Sequence, residues 1–221
     1  MSVHKRSANV RPVSRVIVAA ALWTLSSGAF SAQPSTAGPD LNQATAQLKS
    51  DQWAKRSEAF YRLIALGAAA GQGKGVKPAL SGLISKNPQK ADELKVALAA
   101  TLDLESRVAR KGGSLPEDFT DYYGDLIMAV SSINDPRSVS ALAGALGTGS
   151  MVTSALVGFG DASVDAVIRQ IEKNTDSTVR QSGCSVLLRM ADPATKPSIK
   201  DPAHNQKIQQ TLAGPACAKK G

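Results

Sequence analysis

Apolar residues recur at helical spacing from Leu41 almost to the end of the chain, and strand-like alternation is absent. Leu41, Ala44, Thr45 and Leu48 form one short stripe. Trp53, Phe60, Leu63 and Ile64 form the next, which Gly67 is expected to close as a helix C-cap. Val76, Leu80, Leu83 and Ile84 repeat at i, i+4, i+7, i+8 and stop before Asn87-Pro88. Leu94, Leu98 and Leu102 run along a longer helix whose end is marked by Arg107, Arg110 and Lys111, charges suited to a negative helix terminus, ahead of Gly112-Gly113. Ser114-Leu115-Pro116-Glu117 then reads as a helix start, with Ser114 as N-cap, an early proline and a glutamate three residues after the serine. Phe119, Tyr122, Leu126, Val130 and Ile133 line its apolar face.

From Asp135 the pattern becomes repetitive. Ser138-Val139-Ser140-Ala141-Leu142 recurs 25 residues later as Ser163-Val164-Asp165-Ala166-Val167. The apolar sets are Val139, Leu142, Ala143 and Leu146 in one copy and Val164, Val167, Ile168 and Ile171 in the other. Each is followed by a second stripe: Val152, Ala155, Leu156 and Phe159, then Val179, Gly183, Val186, Leu187 and Met190. A helix pair of this kind cannot bury its faces alone and must stack on neighbours. The expected fold is therefore all-α: antiparallel helix hairpins, about nine or ten helices in all, irregular between Gly71 and Ser132.

The segment Gly160-Asp161-Ala162-Ser163-Val164-Asp165-Ala166-Val167-Ile168, followed by Asp176-Ser177-Thr178-Val179-Arg180, resembles the short HEAT-like repeats of the phycobilisome-lyase type. Asp51-Gln52-Trp53-Ala54-Lys55-Arg56, with Leu63-Ile64-Ala65-Leu66-Gly67 after it, echoes the same rhythm. The resemblance is carried by residues 135 to 192, less closely by 41 to 67, and poorly by the stretch between. It implies a short α-solenoid that presents a surface to another protein, with Arg56 and Arg180 paired to acidic turn residues. Lyase activity belongs to members that bind bilins, and no chromophore-binding signature is present, so no cofactor is expected.

The N-terminus has a different character. His4, Lys5, Arg6, Arg11 and Arg15 precede an apolar run from Val16 to Phe30, and no acid interrupts them. Residues 1 to 31 read as a signal peptide with cleavage near Ala29 to Ala32, followed by a linker over 32 to 40. The run is diluted by Thr24, Ser26, Ser27 and Gly28, too soon for the ~20 apolar residues of a membrane-spanning helix. An exported chain, periplasmic or extracellular, with no membrane span after cleavage is expected. The helical domain then covers 41 to 193, and 194 to 221 form a basic tail, expected to be solvated and frayed, with one short helix at 203 to 213.

Charge follows the same division. The formal net charge is +8, but the leader carries four Lys/Arg, and the tail sets five lysines against Asp201. Residues 32 to 193 hold 17 basic and 17 acidic residues, so the body is neutral and offers no basic face for nucleic acid.

Candidate chemistry is sparse. His4 falls in the leader, which leaves His204 as the single histidine expected in the mature chain and removes a two-histidine metal site. Cys184 and Cys217 form a candidate disulfide, weighed against a buried Cys184 acting as a small hydrophobe. A Cys217-His204 nucleophile pair would need a rigid setting that a frayed tail does not provide. Glu117, Asp118, Asp121 and Asp125 lie in a continuous helical pattern, which suits acids at a helix N-terminus better than a calcium loop. Gly67-Ala68-Ala69-Ala70-Gly71-Gln72-Gly73-Lys74-Gly75 fails as a phosphate loop and reads as an inter-helix connection. Trp53, Tyr61, Tyr122 and Tyr123 read as core or hairpin packing. The expected function is a non-enzymatic scaffold or adaptor binding a protein or peptide. The alternatives are a small cell-envelope enzyme or accessory subunit, using Asp121, Asp125, His204 or Cys217, and a purely structural domain.

Overall fold

A computed structural model describes residues 41–69, 75–111, 115–133, 135–194 and 199–218. The signal-peptide and linker readings fall outside them. Among the described residues there is no strand. There are ten α-helices: α1 Leu41–Gln47, α2 Trp53–Ala69, α3 Val76–Lys86, α4 Ala91–Arg110, α5 Glu117–Ser132, α6 Pro136–Gly144, α7 Ser150–Phe159, α8 Asp161–Lys173, α9 Ser177–Ala191 and α10 Pro202–Ala213. A short 3₁₀ turn, Pro88–Lys90, joins α3 to α4. The chain is an all-α helical repeat in two layers, since α4, α6 and α8 pack side by side in one and α3, α5, α7 and α9 in the other. At the N-terminal side α1 packs on α2 and α4, and α2 on α3 and α5.

The apolar stripes become the interior between the layers. Leu98, Leu102, Leu126, Val130, Leu142, Leu146, Val152, Leu156, Val164, Val167, Val186 and Leu187 are all fully buried. The two copies of the repeat are equivalent down to their serines: Ser138 and Ser163 are both buried. The Ser163 hydroxyl donates to the Leu156 carbonyl at 2.7 Å, tying the start of α8 to the end of α7. Gly160, between these helices, has φ of 55°, a left-handed conformation that favours glycine.

Three helices begin with an aspartate whose carboxylate accepts a backbone N–H two residues on: Asp135 at α6, Asp176 at α9 and Asp201 at α10. Asp135 does more than cap. Arg137 donates to it through Nε and Nη2 at 2.8 and 2.7 Å, and also reaches Asp92 of α4 at 2.6 Å. Those bonds from Arg137 outweigh burial and hold the Asp135 carboxyl down at about 2. Because this pKa lies below the unfolded carboxylate value near 4, the stabilisation is present above that value and is lost as pH falls towards about 2. Asp135→Asn is therefore expected to flatten the decline in urea-unfolding stability between pH ~4 and ~2. An unchanged slope would assign the acid sensitivity to other carboxylates.

Two expected helix boundaries are corrected. Gly67 does not end α2, which continues to Ala69. It is instead a buried contact: a Cβ there would sit 2.0 Å from the Ala79 carbonyl oxygen of α3. Helix α5 starts at Glu117 with Pro116 in the N-cap position at φ −57° and ψ 144°, so the proline fixes the extended residue before the helix. Ser114 lies outside the described residues.

A buried ion pair links α2 to α4, with α5 joined to it. Arg56 of α2 and Glu105 of α4 are 4% and 0% exposed, and they meet through two bonds, Nε to Oε1 at 2.6 Å and Nη2 to Oε2 at 2.8 Å. Arg56 Nη1 donates to the Ser50 carbonyl at 2.6 Å, and the Tyr122 hydroxyl of α5 donates to Glu105 Oε1 at 3.1 Å. The bond to Glu105 raises the Arg56 pKa against burial, and burial pushes the Tyr122 hydroxyl well above its usual range. The partner of Arg56 is thus a carboxylate inside α4, whereas an acidic turn residue had been expected. Arg180 makes no ion pair among the described residues.

The C-terminal residues are packed where fraying was expected. Helix α10 lies on α8 and α9, with Ile199 and Ile208 buried. Asp161 organises the approach: it accepts from the Lys200 and Asp201 backbone N–H groups at 2.9 and 3.3 Å and lies 3.0 Å from His204 Nδ1. These bonds, that from the Lys200 N–H first among them, hold its carboxyl below the usual range. Lys207 pairs with Asp165 at 2.8 Å. Beyond α10, Cys217 is disulfide-bonded to Cys184 of α9, with Cα atoms 5.6 Å apart and a sequence separation of 33.

Candidate functional site

The layer formed by α5, α7 and α9, with α2 beside it, carries the surface most unlike an ordinary polar exterior. On α5 the buried set Phe119, Tyr122, Leu126 and Val130 fixes the helix rotation. That rotation leaves Asp118, Asp121, Asp125 and Met128 along one line towards solvent, at the i, i+3, i+4 spacing of a single helix face. The line changes character midway: its first half is acidic, and it ends in a methionine 38% exposed.

On α7, burial of Val152 and Leu156 turns Met151 and Ser154 outward. Met151 is 42% exposed and its sulfur comes close to Gly124, where a Cβ would lie 3.6 Å from Sδ. Met128 and Met151, with Ile127, Ser131, Ser150, Ser154 and Ala155, line a shallow groove of about 340 Å³. On α9 the solvent side carries Gln181, Ser185 and Leu188, the last being the most exposed large apolar residue described, at 58%. Arg189 reaches across to the Ser154 hydroxyl at 3.3 Å, so α7 and α9 abut at this face. Three successive helices of one layer therefore each expose a large apolar side chain.

Next to this surface, α2 and α5 enclose a second groove containing Trp53 and Tyr61. Tyr122 and Tyr123 are buried, in keeping with core packing. Tyr61 is not: it is 40% exposed, and its hydroxyl donates to Asp125 Oδ2 at 3.1 Å. Its ring meets that of Phe60 edge-on at 5.3 Å, but only Phe60 points inward.

The residues singled out as candidate chemistry are not brought together. Asp121 and Asp125 lie on α5, while His204 and Cys217 belong to the C-terminal element. His204 stands in the first turn of α10 and Cys217 follows its other end, so most of the helix, about 14 Å, separates them. Cys217 is also bonded to Cys184, which withholds its thiol. Among the described residues no group of three or more His, Cys, Asp or Glu could hold a metal ion. No described helix is long and apolar enough to cross a membrane. Of the glycine-rich connection, residues 70 to 74 lie outside those described.

Sequence reasoning did not single out Met128, Met151 and Leu188. The available signal was their place opposite the apolar stripe: a helix with apolar residues on its polar side has a surface that water does not favour. Comparison with known proteins adds no relative to this picture: no family model, no curated protein and no solved structure matches the chain.

Proposed function

We propose that this chain is an exported, non-enzymatic HEAT-like scaffold that holds another protein or peptide against the outer face of α5, α7 and α9. The observation that supports this reading is the exposure of Met128 and Met151 in one groove between α5 and α7, with Leu188 exposed on α9, the next helix of the same layer. Exposed apolar side chains scattered singly need no explanation, but a row spanning adjacent helices is characteristic of interaction surfaces. Methionine suits such a surface because its unbranched, polarizable side chain adapts to an irregular partner. The layered fold supplies a rigid platform, since each helix of the row is fixed by its buried stripe.

The enzymatic alternative is not favoured by the arrangement of its candidate residues, because His204 and Cys217 sit at opposite ends of α10. The test is affinity capture from the envelope fraction of the native cell, comparing the intact chain with a Met128→Glu/Met151→Glu/Leu188→Glu variant. All three side chains are exposed, so the variant should retain its helical circular dichroism and stability within about 1 kcal/mol. It is expected to lose the proteins that the intact chain retains. Equal recovery of the same proteins by both forms would remove this face from the function.

A further inference from the structure

The groove between α2 and α5 has a chemistry distinct from the methionine-lined surface beside it. Its volume is about 430 Å³, and it is lined by Trp53, Ala54, Ser57, Glu58 and Tyr61 of α2 with Asp118 and Asp121 of α5. Both aromatic rings are held in place. Trp53 meets Phe119 edge to face with centroids 5.4 Å apart, and Tyr61 is anchored through its hydroxyl to Asp125.

None of the lining residues is basic. Other carboxylates stand beside a cation: Asp92 and Asp135 beside Arg137, and Asp165 beside Lys207. Here Asp118 and Asp121 make no ion pair and no hydrogen bond among the described residues. Glu58 alone has a cation, Arg62, at 2.9 Å on the same helix. The consequence is a local excess of negative charge in a body that is neutral overall. The Tyr61 hydroxyl registers it, being pushed up to about 12 by burial first, then by Asp125, Asp121 and Asp118.

Aromatic rings beside uncompensated carboxylates recognise an organic cation. The negative face of a ring attracts the charge, while the carboxylates accept its N–H groups. A planar guanidinium satisfies both at once, because it stacks on rings and donates in a fork. The groove and the methionines share one line of α5, on which Met128 follows Asp118, Asp121 and Asp125. We propose that the α2–α5 groove receives an arginine side chain from an extended basic segment of the partner, whose neighbouring apolar residues lie on Met128 and Met151. This assignment deepens the docking function and rests on it.

The sequence contains two tryptophans, Trp23 and Trp53, so Trp23→Phe in the full chain leaves Trp53 as the single emitter, inside the groove. Its emission is followed while acetyl-triarginine amide is added, with acetyl-triglutamate amide and guanidinium chloride as comparison titrants. The expected result is a saturable change with triarginine, absent with triglutamate. Its affinity should fall about tenfold in Asp118→Asn/Asp121→Asn and again as salt rises from about 0.05 to about 0.3 M. Both aspartates are exposed, so unchanged circular dichroism will show that the variant is folded. No saturable change with triarginine, an undiminished affinity in the double variant, or equal binding of guanidinium chloride would each overturn the assignment. An absent arginine response together with partner capture that depends on Met128 and Met151 overturns the groove and leaves the docking face. A saturable response with capture unaffected by the methionines supports the groove and removes that face.

Discussion

Glu105→Gln is expected to lower unfolding stability by about 3–5 kcal/mol, the cost of leaving a buried charge without its partner. Arg56 would then remain inside the α2–α4 contact with its guanidinium facing a neutral amide, and it cannot escape by losing its proton. The measurement is urea denaturation followed by far-ultraviolet circular dichroism. Two companions separate the pair from general disruption. Arg56→Met/Glu105→Leu removes both charges and should recover most of the loss, because the attraction between buried ions is largely offset by their desolvation. Tyr122→Phe deletes one hydrogen bond to the carboxylate and should cost about 1–3 kcal/mol. A loss below about 1 kcal/mol in Glu105→Gln would mean that water reaches this site.

Gly67→Ala is the second substitution with a large expected effect, and its sign is set by competition between two terms. Alanine is favoured over glycine in a helix interior by about 1 kcal/mol. Against this, the added Cβ would lie 2.0 Å from the Ala79 oxygen and 2.6 Å from its carbonyl carbon. Both are backbone atoms, so no rotamer change relieves the overlap and α2 must move away from α3. Overpacking of this kind costs about 1–3 kcal/mol and sometimes more. We expect a net loss above about 2 kcal/mol, because here the whole helix pair must separate. Gly158→Ala provides the control. Gly158 lies in α7 with nothing within 4 Å of its would-be Cβ, and the same change there should stabilise by up to about 1 kcal/mol. If both alanines stabilise, the α2–α3 approach is not as close as described.

These two positions also show what periodicity conveys and what it leaves out. The apolar stripes locate the helices because burial demands a 3.6-residue rhythm, and the repeat at 138 and 163 is visible because both copies face the same interior. The irregular middle is harder to parse because α4 spans 20 residues and α5 spans 16, while α6 and α7 span 9 and 10. Gly67 was read as a stop because glycine often ends helices. Yet it falls four residues after Leu63 on the same stripe, where a small side chain permits close contact. Arg56 and Glu105 interrupt the apolar stripes of α2 and α4 with opposite charges. That signal is local on each helix, but pairing them requires knowing that residues 49 apart meet. The candidate site was legible in part. Asp121 and Asp125 were visible as a cluster, but their relation to Trp53 and Tyr61 depends on how α2 crosses α5. In the tail, a helix over 203 to 213 and the pairing of Cys184 with Cys217 were legible, but its packing was not, because its anchors are few: two isoleucines, the Asp161 bonds and the disulfide.

Helix α10 also bears on how the stack of helices is covered at its flank. A stack of helix pairs ends in a flank shaped like its internal interfaces, and identical molecules adding there head to tail would form an open filament. Here the flank of α8 and α9 is already filled by Ile208 and sealed by the bond from Cys217 to Cys184, while Gln206, Lys207, Gln209 and Gln210 face outward. Among the described residues α10 therefore covers the flank of α8 and α9 and turns a polar face outward.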